Sequence, residues 1–306
     1  MRNVKSRKKQ RLFSVTAFVF FLETVILFIF FAGCSSAPKK PVEIFTSRSM
    51  AANQLNLANQ TANQGRYEDA LLILGEARRL ALSTDDPQLR IKTSMGRGNI
   101  LFALGRHDEA FGEWDAAAAE GDASGEGKLA ALARIYKIRG TLVRLPNEKS
   151  GNDTDAAAEE LKTRLVREMA AVRSDSLSTA AGYVTLGLAE KQLGRRAEAE
   201  SAIKRALDIH EKNLSLEDAA YDWFIIASIR SVKGEYDASL EALKAAINFD
   251  RRAENGFGLA SSWKAMGEVY KKAGKAEESR AAFARAADIF RAIGLNEQAE
   301  ELKEQL

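Results

Sequence analysis

One cysteine, two histidines and four prolines stand in a chain of 306 residues, and each shortage removes a class of function. A lone thiol, Cys34, closes no disulfide within the chain, so no cystine framework supports the fold. The histidines, His107 and His210, have no cysteine or second histidine three or four residues away, the spacing a helical metal site needs. Both are therefore read as structural, and neither a metal nor a cofactor is expected. Phosphate-binding loops of the Gly-x-x-x-x-Gly-Lys-Ser/Thr type are missing; Gly96-Arg97-Gly98 and Gly256-Phe257-Gly258 are isolated glycine pairs in a helical context. Without a catalytic constellation the chain is expected not to be an enzyme, and an enzymatic alternative would rest on acids such as Glu190, Asp222 or Glu268. The prolines (Pro38, Pro41, Pro87 and Pro146) fall in polar, turn-like stretches, so none interrupts a long helical pattern.

Long apolar runs are also lacking, save one. The chain opens with six Lys or Arg in eleven residues, followed by Leu12 to Gly33, where Glu23 is the sole charge. That layout is a basic region and an apolar core, as in a secretory signal, though 22 residues are also enough to span a bilayer. The formal net charge of +3 lives in this leader: without residues 1–33 the balance is 39 basic against 41 acidic side chains. Nucleic-acid binding, which relies on basic surface to neutralise phosphate, is therefore not expected.

The apolar run ends at Phe31-Ala32-Gly33-Cys34, and Ser35 to Pro41 follow as a short proline-bearing tether. This ending resembles the lipobox of bacterial lipoproteins, with Phe31 where that family prefers leucine and spirochaete-type boxes are looser. The resemblance implies cleavage after Gly33 and a diacylated Cys34 as the new N-terminus. Residues 1–33 are thus expected to be a signal peptide, 34–46 a lipidated cysteine and tether, and 47–306 a folded domain in the bacterial cell envelope, on the inner or outer membrane.

Within that domain one phrase returns: GRYEDALLILGEA at Gly65, then relatives of it at Gly105, Gly194, Gly234 and Gly274, stepping by 40, 89, 40 and 40 residues. A small residue precedes each glycine by seven places, at Ala58, Gly98, Gly187, Ala227 and Gly267. A large residue (Leu74, Trp114, Ile203, Leu243 or Phe283) and, three places on, an alanine follow it. Fixed-period self-similarity marks a repeat architecture. Each unit reads as two antiparallel helices: the small residue permits close approach, the glycine turns the chain, and the later residues form one apolar stripe. One such hairpin cannot bury its stripe alone, so neighbours must stack.

The units resemble tetratricopeptide repeats. Trp263, Met266, Gly267, Tyr270, Gly274, Phe283 and Ala286 match the family pattern, with Ser279 in place of its alanine; Tyr183, Leu186, Gly187, Gly194, Ala199, Ile203 and Ala206 match nearly as well. The doubled interval hides another hairpin in 128–143 and 155–173, with Leu161, Leu165, Val166, Met169 and Val172 predicted on one face and Asp153 or Thr154 as helix cap after a 145–154 loop. Residues 296–306 read as an amphipathic cap. The fold class is thus all-α, an α-solenoid of about six tetratricopeptide-like hairpins with a C-terminal capping helix.

The resemblance implies a concave face, lined by the first helices, that holds an extended or helical peptide. Its groove positions, carried over by register, are Asn59, Asn63, Asn99, Phe102, Leu188, Lys191, Gln192, Tyr221, Phe224, Lys264, Glu268 and Lys271. Leu55 and Met95 stand where a carboxylate-clamping subgroup has basic residues, so that clamp is not expected. The implied role is a membrane-anchored protein-interaction scaffold. Alternatives are a subunit serving a periplasmic solute-binding protein, transporter or outer-membrane assembly machine, and a solenoid that binds a small ligand.

Overall fold

Strong helix formers punctuated by glycine at a fixed interval dictate a run of helix, turn and helix. The computed structural model describes residues 46–145 and 152–305. The leader, Cys34, the tether up to Phe45 and most of the 145–154 loop lie outside them.

Among the described residues there are thirteen α-helices and no strand. They pair as α1 (Thr46–Asn63) with α2 (Tyr67–Ser83), α3 (Pro87–Ala103) with α4 (His107–Ala123), and α5 (Gly127–Arg144) with α6 (Asn152–Val172). Then come α7 (Ser176–Gln192) with α8 (Arg196–Lys212), α9 (Leu216–Val232) with α10 (Tyr236–Ala253), and α11 (Gly256–Lys272) with α12 (Ala276–Ala292). Each hairpin also packs on the next, so apolar clusters follow one another along the stack. A short α13 (Asn296–Glu301) and a 3₁₀ turn, Lys303–Gln305, end the described chain.

The repeat logic is visible atom by atom. Gly65, Gly105, Gly194, Gly234 and Gly274 all have φ between +69° and +80°, a conformation that a side chain would strain. A Cβ at Gly187 would lie 2.4 Å from Ile203 Cδ1, and one at Gly267 2.8 Å from the Phe283 ring. The large residues Leu74, Trp114, Ile203, Leu243 and Phe283 are all buried, as are the alanines three places on. Ser279, the departure from the repeat pattern, donates its Oγ to the Gly267 carbonyl at 2.9 Å, and Ser239 likewise to Ala227 at 2.8 Å. The serines therefore tie second helix to first at the place where alanine would only fill space. Three turns between hairpins use other chemistry: Asp85, Leu214 and Glu254 are left-handed without being glycine, while Gly125 serves between the second and third hairpins.

Three local expectations are corrected. Helix α6 is already running at Asn152, so Asp153 and Thr154 lie inside its first turn rather than capping it. Val166 is 55% exposed, because residues 161, 165, 169 and 172 keep to one face while 166 stands about 100° away. The C-terminal cap is shorter than its sequence pattern: Ala299 and Leu302 bury against Phe283 and Phe290, and the rest tightens into the 3₁₀ turn.

Six hairpins bring the stack round to its own start. The Tyr67 and Phe257 rings pack edge to face at 5.9 Å, and Asn63 Nδ2 donates to Glu217 Oε1. Gly65 lies so close to Ile293 and Leu295 that a Cβ there would sit 3.2 Å from Leu295. The first hairpin thus touches the last, and the stack closes on itself.

Candidate functional site

The inner face is built by the first helix of each hairpin. A cavity of about 620 Å³ there is lined from α3 (Lys92, Met95), α5 (Leu132, Tyr136, Arg139), α7 (Leu177, Ser178) and α9 (Asp218, Tyr221), with His210 reaching in from α8. Arg139 lies over the Tyr136 ring at 5.0 Å and donates to Thr185 Oγ1 at 3.3 Å, two neutral contacts for a permanent cation.

Beneath Tyr221 lies a buried pair. His210 Nδ1 meets Asp222 Oδ2 at 2.6 Å, with Asp222 fully buried and its Oδ1 without a hydrogen-bond partner. Burial opposes a charge on His210, yet the hydrogen bond and charge of Asp222 outweigh it and raise its pKa. Burial likewise pushes Asp222 up to about 6, against the pull of the imidazole. The pair therefore holds a proton more firmly than two separate groups in water would.

Forty residues on, the same packing position is occupied by Asp250 and Ser262. Asn255, the N-cap of α11, accepts from Gly258 N and donates its Nδ2 to Asp250 Oδ1 at 2.7 Å. These two groups line a smaller cavity of about 210 Å³ with Glu217, Tyr221, Phe224 and Phe257.

Of the twelve groove residues carried over by register, Tyr221, Phe224 and Glu268 line inner-face cavities. Asn99 accepts from Trp114 Nε1, Phe102 sits among the rings of His107, Phe111 and Trp114, and Leu188 packs on the core. Lys191 donates to Ser228 Oγ, Lys264 pairs with Glu301 at 3.9 Å, and Lys271 donates to Gln305. Asn63 makes the closing contact to Glu217, Asn59 is exposed, and Gln192 is half-buried. The two cavities lined by Tyr221 lie toward the N-terminal halves of the first helices, where α11 starts seven residues before Trp263, whereas the one lined by Glu268 lies toward their C-terminal ends. Arg139, Tyr136, His210 and Phe257 were therefore missed as inner-face residues, although the 40-residue step from His210 to Asp250 and from Asp222 to Ser262 is a readable signal.

Glu190, named as a possible hidden acid, is bonded to Lys162 at 2.8 Å. Among the described residues no group of three His, Cys, Asp or Glu side chains is placed to hold a metal, and no helix is long and apolar enough to cross a membrane.

Residues 180–213, the α7–α8 hairpin, match the tetratricopeptide repeat family model. A search of curated proteins found no match. Among solved structures, a Rap protein complexed with competence and sporulation factor is similar at 15% identity and a TM-score of 0.55, over 84% of this chain and 77% of that one. BtubC from P. vanneervenii is similar at 15% identity and a TM-score of 0.48, over 80% and 92%. The sensor-bearing signal-transduction ATPase of Pyrococcus horikoshii is similar at 12% identity and 0.47, over 83% of this chain and 41% of that one. The fold is a tetratricopeptide-like α-solenoid, the class whose repeats bind protein partners and generally do so without catalysis.

Proposed function

We propose that this protein is a lipid-anchored, non-catalytic scaffold of the bacterial cell envelope, which holds a protein partner on the inner face of its solenoid. The observation that carries the scaffold reading is the inner face itself, where Tyr221, 41% exposed, stands between two cavities beside Phe224. Exposed aromatics at the centre of a concave surface are the anchors that dominate protein interfaces. The lipid reading rests on the order of basic leader, apolar run and Cys34 in the sequence. A bacterial lipoprotein's several acyl chains exceed the two signals that stable anchoring requires. A role beside a solute-binding protein, transporter or outer-membrane assembly machine is a sharper form of the same reading.

Affinity capture of the detergent-extracted protein, wild type and Cys34→Ala, tests both halves. The wild type is expected to incorporate labelled palmitate and to bring an envelope protein with it. Cys34→Ala is expected to lose the label and accumulate as unprocessed precursor. Capture of ribosomal and cytosolic proteins alone would sink the scaffold reading; unchanged size and membrane association of Cys34→Ala would favour a retained span.

A further inference from the structure

Buried polar groups in a repeat core need a reason: at the packing position that holds Asp250 and Ser262, the other carboxyl, Asp222, has His210 as its partner, whereas Ala81 and Thr93 fill it between the first and second hairpins and Phe290 and Leu302 between the last hairpin and its cap. Asp250 is 2% exposed and is served by the neutral donors Asn255 and Ser262. Among the described residues, no lysine, arginine or histidine lines the cavity it faces. Burial, reinforced by the charge of Glu217, pushes Asp250 up to about 7. Its role in orienting the Asn255 cap accounts for one oxygen's partner but not for a cavity left open beside it.

That cavity has three aromatic walls. Tyr221, Phe224 and Phe257 surround the two carboxylates Asp250 and Glu217, with the hydroxyls of Ser261 and Ser262 adding acceptors. At about 210 Å³ it falls below the roughly 300–1,000 Å³ of a typical small-molecule site and suits a single side chain. Ring faces attract a cation and cover methylene groups, and a buried carboxylate lacking a cation is completed by one.

We propose that this cavity is a specificity pocket of the inner face that takes a primary alkylammonium group, from the lysine of a bound protein or from a free amine. The methylene stem lies along Phe224 and Phe257, and the ammonium donates to Asp250, with Glu217 adding charge at the exposed rim. The biological ligand rests on the inner-face reading above, but small amines test the pocket without any partner.

Isothermal titration of the full-length protein in detergent with N-acetyl-lysine methylamide, cadaverine and N-acetyl-norleucine methylamide is the test. At least one amine is expected to bind about tenfold more tightly than the uncharged norleucine derivative. Tighter binding of the lysine derivative assigns the pocket to a protein side chain; tighter binding of cadaverine assigns it to a free amine. Asp250→Asn is expected to abolish the preference, and Tyr221→Ala, at an exposed ring away from the α11 cap, to weaken it severalfold should Asp250→Asn not fold. No amine binding, equal binding of the norleucine derivative, or a folded variant that keeps the full preference would overturn the proposal. Failure here, with a partner still held on the inner face, would remove the pocket and leave the scaffold.

Discussion

Phe283→Ala is expected to lower the unfolding free energy by about 3–5 kcal/mol. The ring is fully buried, among Ala260, Ala286, Phe290, Ala299 and Leu302, so it joins the last hairpin to its cap. Gly267→Ala is expected to cost about 1–3 kcal/mol for the opposite reason, since its new methyl has no room. That methyl would lie 2.8 Å from the Phe283 ring. In the double variant the methyl enters the space the ring has left, and alanine's better helix propensity contributes up to about 1 kcal/mol. The two changes should therefore fall short of additivity by about 2 kcal/mol or more in urea denaturation. Strict additivity would mean that Gly267 is small for some reason other than Phe283.

His210→Ala is expected to cost about 3–5 kcal/mol at pH 8, because it leaves the carboxylate of Asp222 buried and alone. At pH 5 the cost should fall to about 1–3 kcal/mol, the loss of a buried hydrogen bond, since the carboxyl can then protonate. The wild-type sign follows from the two raised pKa values. The increment that a proton on His210 adds in the wild type is fully present below its unfolded value of 6.5 and fades as pH rises through its higher folded value, whereas the stranded carboxylate penalises the variant only once Asp222 must ionise, so the cost of His210→Ala still grows with pH. Asp222, raised to about 6, also holds in the folded state a proton that the unfolded chain has released, so its contribution too declines as pH rises from about 4 to 6. Denaturation of wild type and variant at both pH values checks this; an equal cost at pH 5 and pH 8 would show that the pair does not share its proton.

How far the sequence carried the reading varies by element. The within-hairpin turns were legible because each requires φ near +75°, which glycine meets, and the glycines recur at one interval. The third hairpin was legible only as periodicity, since no glycine phrase stands between α5 and α6 in the sequence, and there Val166 was placed on the wrong face. Tyr221 and Phe224 were found by register. Arg139, His210 and Asp222 were not assigned to the inner face, because they come from three helices and meet only when the hairpins stack. The closing contact of Tyr67 with Phe257 depends on the summed rotation of six units, which no local pattern encodes.

The central claim is that partners are held inside the solenoid. A photo-crosslinking residue placed at Tyr221, between the two inner cavities, is compared with one at Leu72, which is 75% exposed on α2, a second helix. Irradiation of the full-length protein in cells that express it, followed by identification of the adducts, reads out which face is occupied. The account predicts a discrete protein adduct from position 221 and none from position 72. An adduct from position 72 with none from 221 would contradict it, and would move the partner to the outside of the solenoid.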